Sequence, residues 1–249
     1  MPNVREFYDA LAADYHRIFR DWDAAIDWQA TILSDFIDGG PKAVLDCACG
    51  IGTQAIGLAR AGHRVTGTDL SPVAAARAHA EAARRDLTIP TAAADMRRLP
   101  FGDNAFGAVL CADNSIAHLL TPDDVRTAFR QMRRVLTADG RLVLTMRGDY
   151  EQVRRERRPS TPPQVSHTET DRTVTFQLWH WHDDGEHYDF DHVQLHDVDG
   201  ERRVSVRAAT SWAMSLDQVA GFARDAGFGE VEWHEPAATG YYQHILSAR

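Results

Sequence analysis

Residues 43–70 read AVLDCACGIGTQAIGLARAGHRVTGTDL, and the change of period inside this run decides the fold. Ala43 to Ala48 is a short, largely apolar run of strand length. Thr53 to Gly62 then spaces its apolar residues as a helix does, and Arg64 to Leu70 returns to strand length. Strand, glycine-bearing turn, helix and strand make one crossover unit of a parallel sheet. The alternation continues past Leu70. Ser71 and Pro72 open a helix that runs to about Arg85, since serine caps and proline suits the first turn. Next come TAAAD (91–95), a turn at PFGDN (100–104), a strand over 106–113, a helix over 122–136 and a strand over 141–147. Five β-elements, each but the last followed by a crossover, predict an α/β, doubly wound sheet with ligands at the carboxyl ends of its strands.

The pattern changes after residue 147. RPSTPPQ (158–164) reads as irregular, and three β-rich runs follow at 172–182, 187–198 and 202–213, joined by the turn signals DDGE and DVDGE. They predict an antiparallel insertion. SLDQVAGFARDAGF (215–228) reads as a capped helix, and VEWHE and YYQHILSA as closing strands of a seven-stranded sheet. Two amphipathic helices, about 4–20 and 22–37, are expected to fold over the ligand cleft. The predicted organisation is a helical lid over 1–40, a Rossmann-like domain over 41–150 and 214–249, and a β-rich cap over 151–213. A chain of 249 residues can bury one such core with a modest insertion.

Lys and Arg total 27 against 36 Asp and Glu, a formal charge of −9, which repels polyphosphates. The one dense basic cluster, Arg154, Arg155, Arg157 and Arg158, is interrupted by Glu156 and reads as a solvated helix end, so nucleic acid is not the expected partner. No run of eighteen apolar residues and no signal-peptide pattern is present, so a cytoplasmic location away from membranes is expected. Cys47, Cys49 and Cys111 are odd in number and do not suggest a disulfide framework.

Gly50 and Gly52 let backbone approach a ligand at the start of a helix, where an anionic group is favoured. Gly50-x-Gly52-x-x-Ala55 taken alone also meets the nicotinamide dinucleotide fingerprint. Its neighbours argue otherwise. Asp46, four residues before Gly50, can accept from an α-ammonium, a cation that a dinucleotide lacks there. Asp69 ends the second strand, where a carboxylate can hold both ribose hydroxyls. Asp95 ends the third, placed to accept from an adenine amine while Met96 packs on the ring. The bland alternative is that these acids cap helices and form turns.

Asp46-x-x-x-Gly50-x-Gly52, the run Thr68 to Pro72 and Ala94-Asp95-Met96 resemble the first three motifs of the class I methyltransferase superfamily, over most of residues 40–147. The resemblance implies S-adenosyl-L-methionine as cofactor. Its expected site comprises Asp46, Cys47, Ala48, Gly50, Gly52, Asp69, Leu70, Ala94, Asp95, Met96, Ala112 and Asp113, with Tyr15 and Trp28 from the lid.

Cys111 to Leu119, CADNSIAHL, resembles the Gly-Asn-Ser-Phe-Ala-His-Leu run of glycine N-methyltransferases, and that family carries a carboxylate-holding arginine where Arg147 ends the fifth strand. The resemblance implies a small-molecule acceptor, an amine or amino acid, with Asn114 bonding the amine, His118 near the leaving proton and Arg147 clamping a carboxylate. Gly148-Asp149-Tyr150 departs from the family's Asn-Tyr-Asp, so the pocket floor, where Tyr150 is expected, differs. Trp179-His180-Trp181-His182 alternates on a strand, with Trp179 directed to substrate. No cysteine or carboxylate stands beside the histidines at diagnostic spacing, and no metal is expected. One of Tyr241 and Tyr242 is expected to face the cleft, with Tyr242 in the substrate set. Oxygen or carbon methylation, a nicotinamide-dependent dehydrogenase and a silent cofactor sensor remain the competing readings, and a homo-oligomer is admitted.

Overall fold

Two sheets carry the chain in the computed structural model, which describes residues 3–37, 39–40, 42–167, 172–198 and 201–249. Helix α1 (Val4–Leu11) and a short 3-10 turn (Tyr15–Ile18) precede α2 (Trp22–Asp35). Then β1 (Ala43–Asp46), α3 (Thr53–Arg60), β2 (Arg64–Asp69), α4 (Pro72–Ala83), β3 (Thr91–Ala93), β4 (Phe106–Cys111), α5 (Pro122–Val135) and β5 (Leu136–Met146) alternate. The cap follows: α6 (Tyr150–Glu156), β6 (Gln164–His167), β7 (Arg172–Trp181), β8 (His187–Val198) and β9 (Glu201–Trp212). Helix α7 (Leu216–Asp225), β10 (Val231–His234), α8 (Pro236–Thr239) and β11 (His244–Ala248) close the chain.

The large sheet has the order β10-β11-β5-β4-β1-β2-β3. Strands β1 to β5 pair in parallel, while β11 runs antiparallel to β5 and β10 to β11. Strand order reverses between β1 and β4, and a crevice opens at the carboxyl ends of strands on either side of such a reversal. Alternation sends Val44 to one core, under α2, α3 and α4, and Leu45 to the other, under α5 and α7. Ser71 caps α4 by accepting from Ala74 N at 3.0 Å, and Ser215 with Gln218 forms a capping box on α7. Helices α2 and α3 cross closely because Gly57 has no side chain: a Cβ there would lie 2.5 Å from the Ile26 carbonyl oxygen.

Three expectations need correction. The first helix ends at Leu11 instead of running to residue 20. Arg77 takes the Ala12 carbonyl, which a longer helix would pair with residue 16, and the Asp14 side chain is held by Arg207 Nη2 at 2.6 Å. Tyr8 and Tyr15 therefore share no helix, although their rings meet at 6.1 Å. Among the described residues the cap has four strands, not three, because β6 begins at Gln164, directly after Pro162 and Pro163, and pairs with β7. Carboxylates do accompany the cap histidines, from across the ladder: Asp191 lies 3.3 Å from His180, and Asp189 3.2 Å from His182.

The basic cluster on α6 is met by acids, with Arg158 on Glu156 at 3.0 Å and Asp149 at 3.6 Å. The three cysteines are buried free thiols. Among the described residues no helix is long and apolar enough to cross a membrane.

Candidate active site

The turn after β1 is built around Asp69. Its Oδ2 accepts from Gly50 N and its Oδ1 from Ser71 N, each at 2.8 Å, so one carboxylate ties the glycine turn to the start of α4. Gly50 itself holds φ +52°, a left-handed value that glycine tolerates, and a Cβ there would come 3.5 Å from the Tyr15 ring. Burial pushes the Asp69 carboxyl up to about 6. Each oxygen keeps a second lone pair, which suits adjacent ribose hydroxyls.

A cavity of about 270 Å³ lies over this turn. Of the residues expected to hold the cofactor, Tyr15, Ala48, Gly50, Asp69, Leu70, Ala94, Asp95, Met96 and Asp113 line it. Asp46, Cys47, Gly52, Ala112 and Trp28 are absent from its lining. Gly52 faces the helices instead: a Cβ on it would meet Ile56 Cδ1 at 3.1 Å and Ala78 Cβ at 3.2 Å, so the glycine serves helix packing. Cys47 turns its thiol to Cys111, and Ala112 packs in the core under α2 and α3. Trp28 stacks on Tyr241 at 5.5 Å and borders a different cavity.

Asp46 is wholly buried behind Ala48, whose N–H reaches its Oδ1 at 3.4 Å. Its Oδ2 has no hydrogen-bond partner, and burial raises the carboxyl to about 8. A buried acceptor without a donor beside the glycine turn fits a group bearing an ammonium. Asp95 is gripped by the Arg97 fork, with Nη2 to Oδ2 at 2.6 Å. Burial alone would raise its pKa, but Arg97 holds it below the usual range. Arg97 also reaches Asp124 at 2.8 Å, so this end of the cavity has a fixed, ion-paired rim.

A second cavity, of about 580 Å³, lies between α1, α2 and the cap. Asn114, Arg147, Tyr150 and Tyr242 line it, whereas Trp179 does not. Trp179 instead lies 4.9 Å from the Arg147 guanidinium, a cation–π support, and donates its Nε1–H to Gln177. Arg147 Nε and Nη2 donate to the Asp149 carboxylate at 2.6 and 2.8 Å, so half of the expected carboxylate clamp is already filled. Asn114 Oδ1 accepts from Arg147 N at 2.8 Å.

Four residues, Tyr8, Tyr15, Asp113 and His118, line both cavities and form the wall between them. Asp113 and Asn114 follow one another with φ of 57° and 64°, the conformation that turns the end of β4 toward this wall. Asp113 accepts from Gln54 Nε2 at 2.8 Å, from Tyr241 at 3.4 Å and from Tyr242. Both tyrosines reach it because residues 241 and 242 precede β11 and are free of strand alternation, but only Tyr242 lines a cavity, while Tyr241 is buried behind it. Burial raises the Asp113 carboxyl above its ordinary value.

His118 Nδ1 lies 3.0 Å from the Thr210 carbonyl, which only accepts, so Nδ1 carries the proton. Nε2 then accepts from the Tyr8 hydroxyl at 3.0 Å, and burial lowers the imidazole pKa. The sequence reading had no means of finding this pair, 110 residues apart, and it left out Gln54, Tyr188 and His192 as well; of these only Gln54, in the first turn after the glycines, carries a local signal.

To the Rossmann-like sheet, the glycine turn, the acid at β2 and the walled second cavity the comparisons add one finding: residues 44–140 match the family model for a methyltransferase domain. With it goes S-adenosyl-L-methionine as cofactor. Among relatives, a glycine/sarcosine N-methyltransferase of Parasynechococcus marenigrum is 37% identical over 154 residues, 58% of this chain and 54% of that one. A demethylmenaquinone methyltransferase of Deinococcus radiodurans is 32% identical over 145 residues, covering 57% and 58%. The chain thus spans a little over half the length of these relatives. An S-adenosylmethionine-bound amino pentose methyltransferase from Micromonospora echinaspora shares the fold, with a TM-score of 0.69 at 21% identity and 95% of each chain covered.

Proposed function

We propose that the chain methylates the nitrogen of a small amine, with the acceptor held beneath the cap. One observation carries the reading: the cavity over the glycine turn and a larger cavity meet at a wall whose carboxylate, Asp113, suits an amine. When bound, S-adenosylmethionine supplies a methyl group that passes to the nitrogen lone pair, leaving a neutral thioether and an ammonium that sheds a proton. In-line transfer needs the nucleophile about 3–3.5 Å from the methyl carbon, so the protein's work is placement.

In this reading Asp69 holds the ribose, Asp95 and Met96 the adenine, and Asp46 the ammonium end of the cofactor. Asp113 and Asn114 position the acceptor nitrogen. His118, neutral and with its lone pair on the Tyr8 hydroxyl, takes up the departing proton through Tyr8. The lid over 1–40 and the cap over 151–213 close the two sides of the wall. With Nε and Nη2 on Asp149, Arg147 offers an acceptor carboxylate its Nη1 edge, and its whole fork only once Asp149 is released.

A second reading has an observation of its own. Phe7, Phe19, Trp28, Phe176 and Phe190 make much of the second cavity aromatic, which favours a flat acceptor methylated on oxygen or carbon. Calorimetric titration with S-adenosylmethionine and with its demethylated product, then transfer assays on glycine, sarcosine, larger amines and phenols, separates the two. Micromolar cofactor binding with turnover of amines is expected. Turnover confined to phenols replaces the first reading with the second, and absence of cofactor binding removes both.

A further inference from the structure

The inner face of the cap is divided in a way that the transfer reaction does not require. Residues of β7 and β8 that are paired across the ladder share a face, and Gln177 pairs with His192, Thr175 with Gln194, and Trp179 with Phe190. The face is therefore aromatic near Arg147, where Trp179, Tyr188 and Phe190 sit, and polar beyond it. At the polar end Gln164 of β6 stands opposite Thr175, and Gln164, Thr175, Gln177 and His192 all line the second cavity.

His192 is the telling member. It is 8% exposed, its Nε2 has no hydrogen-bond partner, and it borders the cavity. A buried imidazole nitrogen left without a partner is a feature that native interiors rarely keep unless a ligand or bound water completes it. Every side chain in this group is an uncharged donor and acceptor at neutral pH. Burial first, and then the charge of Arg207, lower the His192 pKa to about 4. Groups of this kind recognise hydroxyls, while the aromatic walls present faces to the carbon skeleton between them.

We propose that the polar end of the cap is a subsite for the hydroxyl groups of the acceptor, so that the substrate class is a neutral, polyhydroxylated amine such as an amino sugar. The proposal rests on nitrogen methylation as read above. It adds a binding site remote from the reacting nitrogen: the amine stands at Asp113 and the hydroxyl-bearing ring extends toward His192. With Nε and Nη2 on Asp149, Arg147 is half engaged already, and an acceptor without a carboxylate makes no demand on it.

The test uses the full chain saturated with S-adenosylmethionine. Amino-deoxyhexoses bearing the amine at carbon 2, 3 or 4 are compared as acceptors with cyclohexylamine and with glycine, in wild type and in His192→Phe and Gln177→Leu. At least one amino-deoxyhexose is expected to show a kcat/KM tenfold or more above cyclohexylamine. Each substitution should raise its KM at least tenfold with kcat little changed, and leave cyclohexylamine and cofactor binding as in wild type. The proposal is overturned if cyclohexylamine or glycine equals the best sugar, if no sugar is methylated, or if both variants lower all acceptors alike. Cofactor binding is measured separately by calorimetry, so loss of the methyltransferase reading registers there and loss of the subsite registers in the acceptor comparison.

Discussion

Asp69 shows how much one side chain can be asked to do. It closes the glycine turn through Gly50, opens α4 through Ser71 and faces the first cavity. Asp69→Ala should weaken S-adenosylmethionine binding by about 1.5–3 kcal/mol, the usual worth of hydrogen bonds to a charged group. Titration calorimetry reads this directly, and unchanged affinity would remove Asp69 from the ribose site. Arg147 offers a sharper contrast. Asp149→Asn should loosen the fork and lower the KM of carboxylate-bearing acceptors several-fold; if steady-state kinetics with glycine and sarcosine show no change, Arg147 is a structural partner of Asp149 and Trp179. Acids at the ends of β2 and β3 were legible in the sequence because strand ends are marked by the switch of period. The occupancy of Asp95 was not, since it depends on which neighbour a flexible guanidinium selects, whereas an ion pair of Arg147 with Asp149 was readable from the sequence as the alternative to a carboxylate clamp.

Among the elements, the α2–α3 crossing and the tie between lid and cap are the ones that hold the cavities' shape. Gly57→Ala would drive a methyl group against the Ile26 carbonyl and Ala30, and overpacking of this kind costs about 1–3 kcal/mol. Urea denaturation should show it as a lowered midpoint at unchanged slope. Arg207 joins β9 to the last turn of α1, to the residue Asp14 beyond it and to β8, donating to Ala10 O at 3.0 Å, Asp14 at 2.6 Å and Gln194 Oε1 at 2.7 Å. Arg207→Met should cost about 2–3 kcal/mol and, because Tyr8 and Tyr15 flank that joint, weaken cofactor binding too. The core elements were readable from period alone: each apolar alternation from Ala43 to Met146 found its strand. The break after Leu11 was hidden because Ala12, Ala13 and Asp14 are neutral to a helix locally, and the partners that stop it come from β9 and α4.

At the scale of the whole molecule, three acids of the site, Asp46, Asp69 and Asp113, are buried with raised pKa values, burial being the main cause in each. A carboxyl whose folded pKa exceeds its unfolded one keeps its proton longer in the folded state. It therefore adds stability below about pH 4 that is lost as pH rises through the folded value. For Asp46 the window runs from an ordinary 3.8 to about 8, and for Asp69 it closes near 6. Without cofactor these carboxyls pull the melting temperature down between pH 5 and pH 8, a slope that His118 and His192, held neutral by burial, oppose. Asp46→Asn should flatten that slope, and identical slopes in the two proteins would show that Asp46 is not held protonated by the fold. Saturating S-adenosylmethionine should raise the melting temperature at both values, by mass action.

The wall of Tyr8, Tyr15, Asp113 and His118 also sets the traffic of the reaction. Each cavity has solvent-exposed residues on a rim of its own, Leu70 for the first and Trp28 and Tyr242 for the second. In the function proposed above, donor and acceptor arrive by separate doors and meet at this wall. The spent thioether can depart while the methylated product stays, or the reverse, and a product that remains on its side already stands where a second round of transfer would begin.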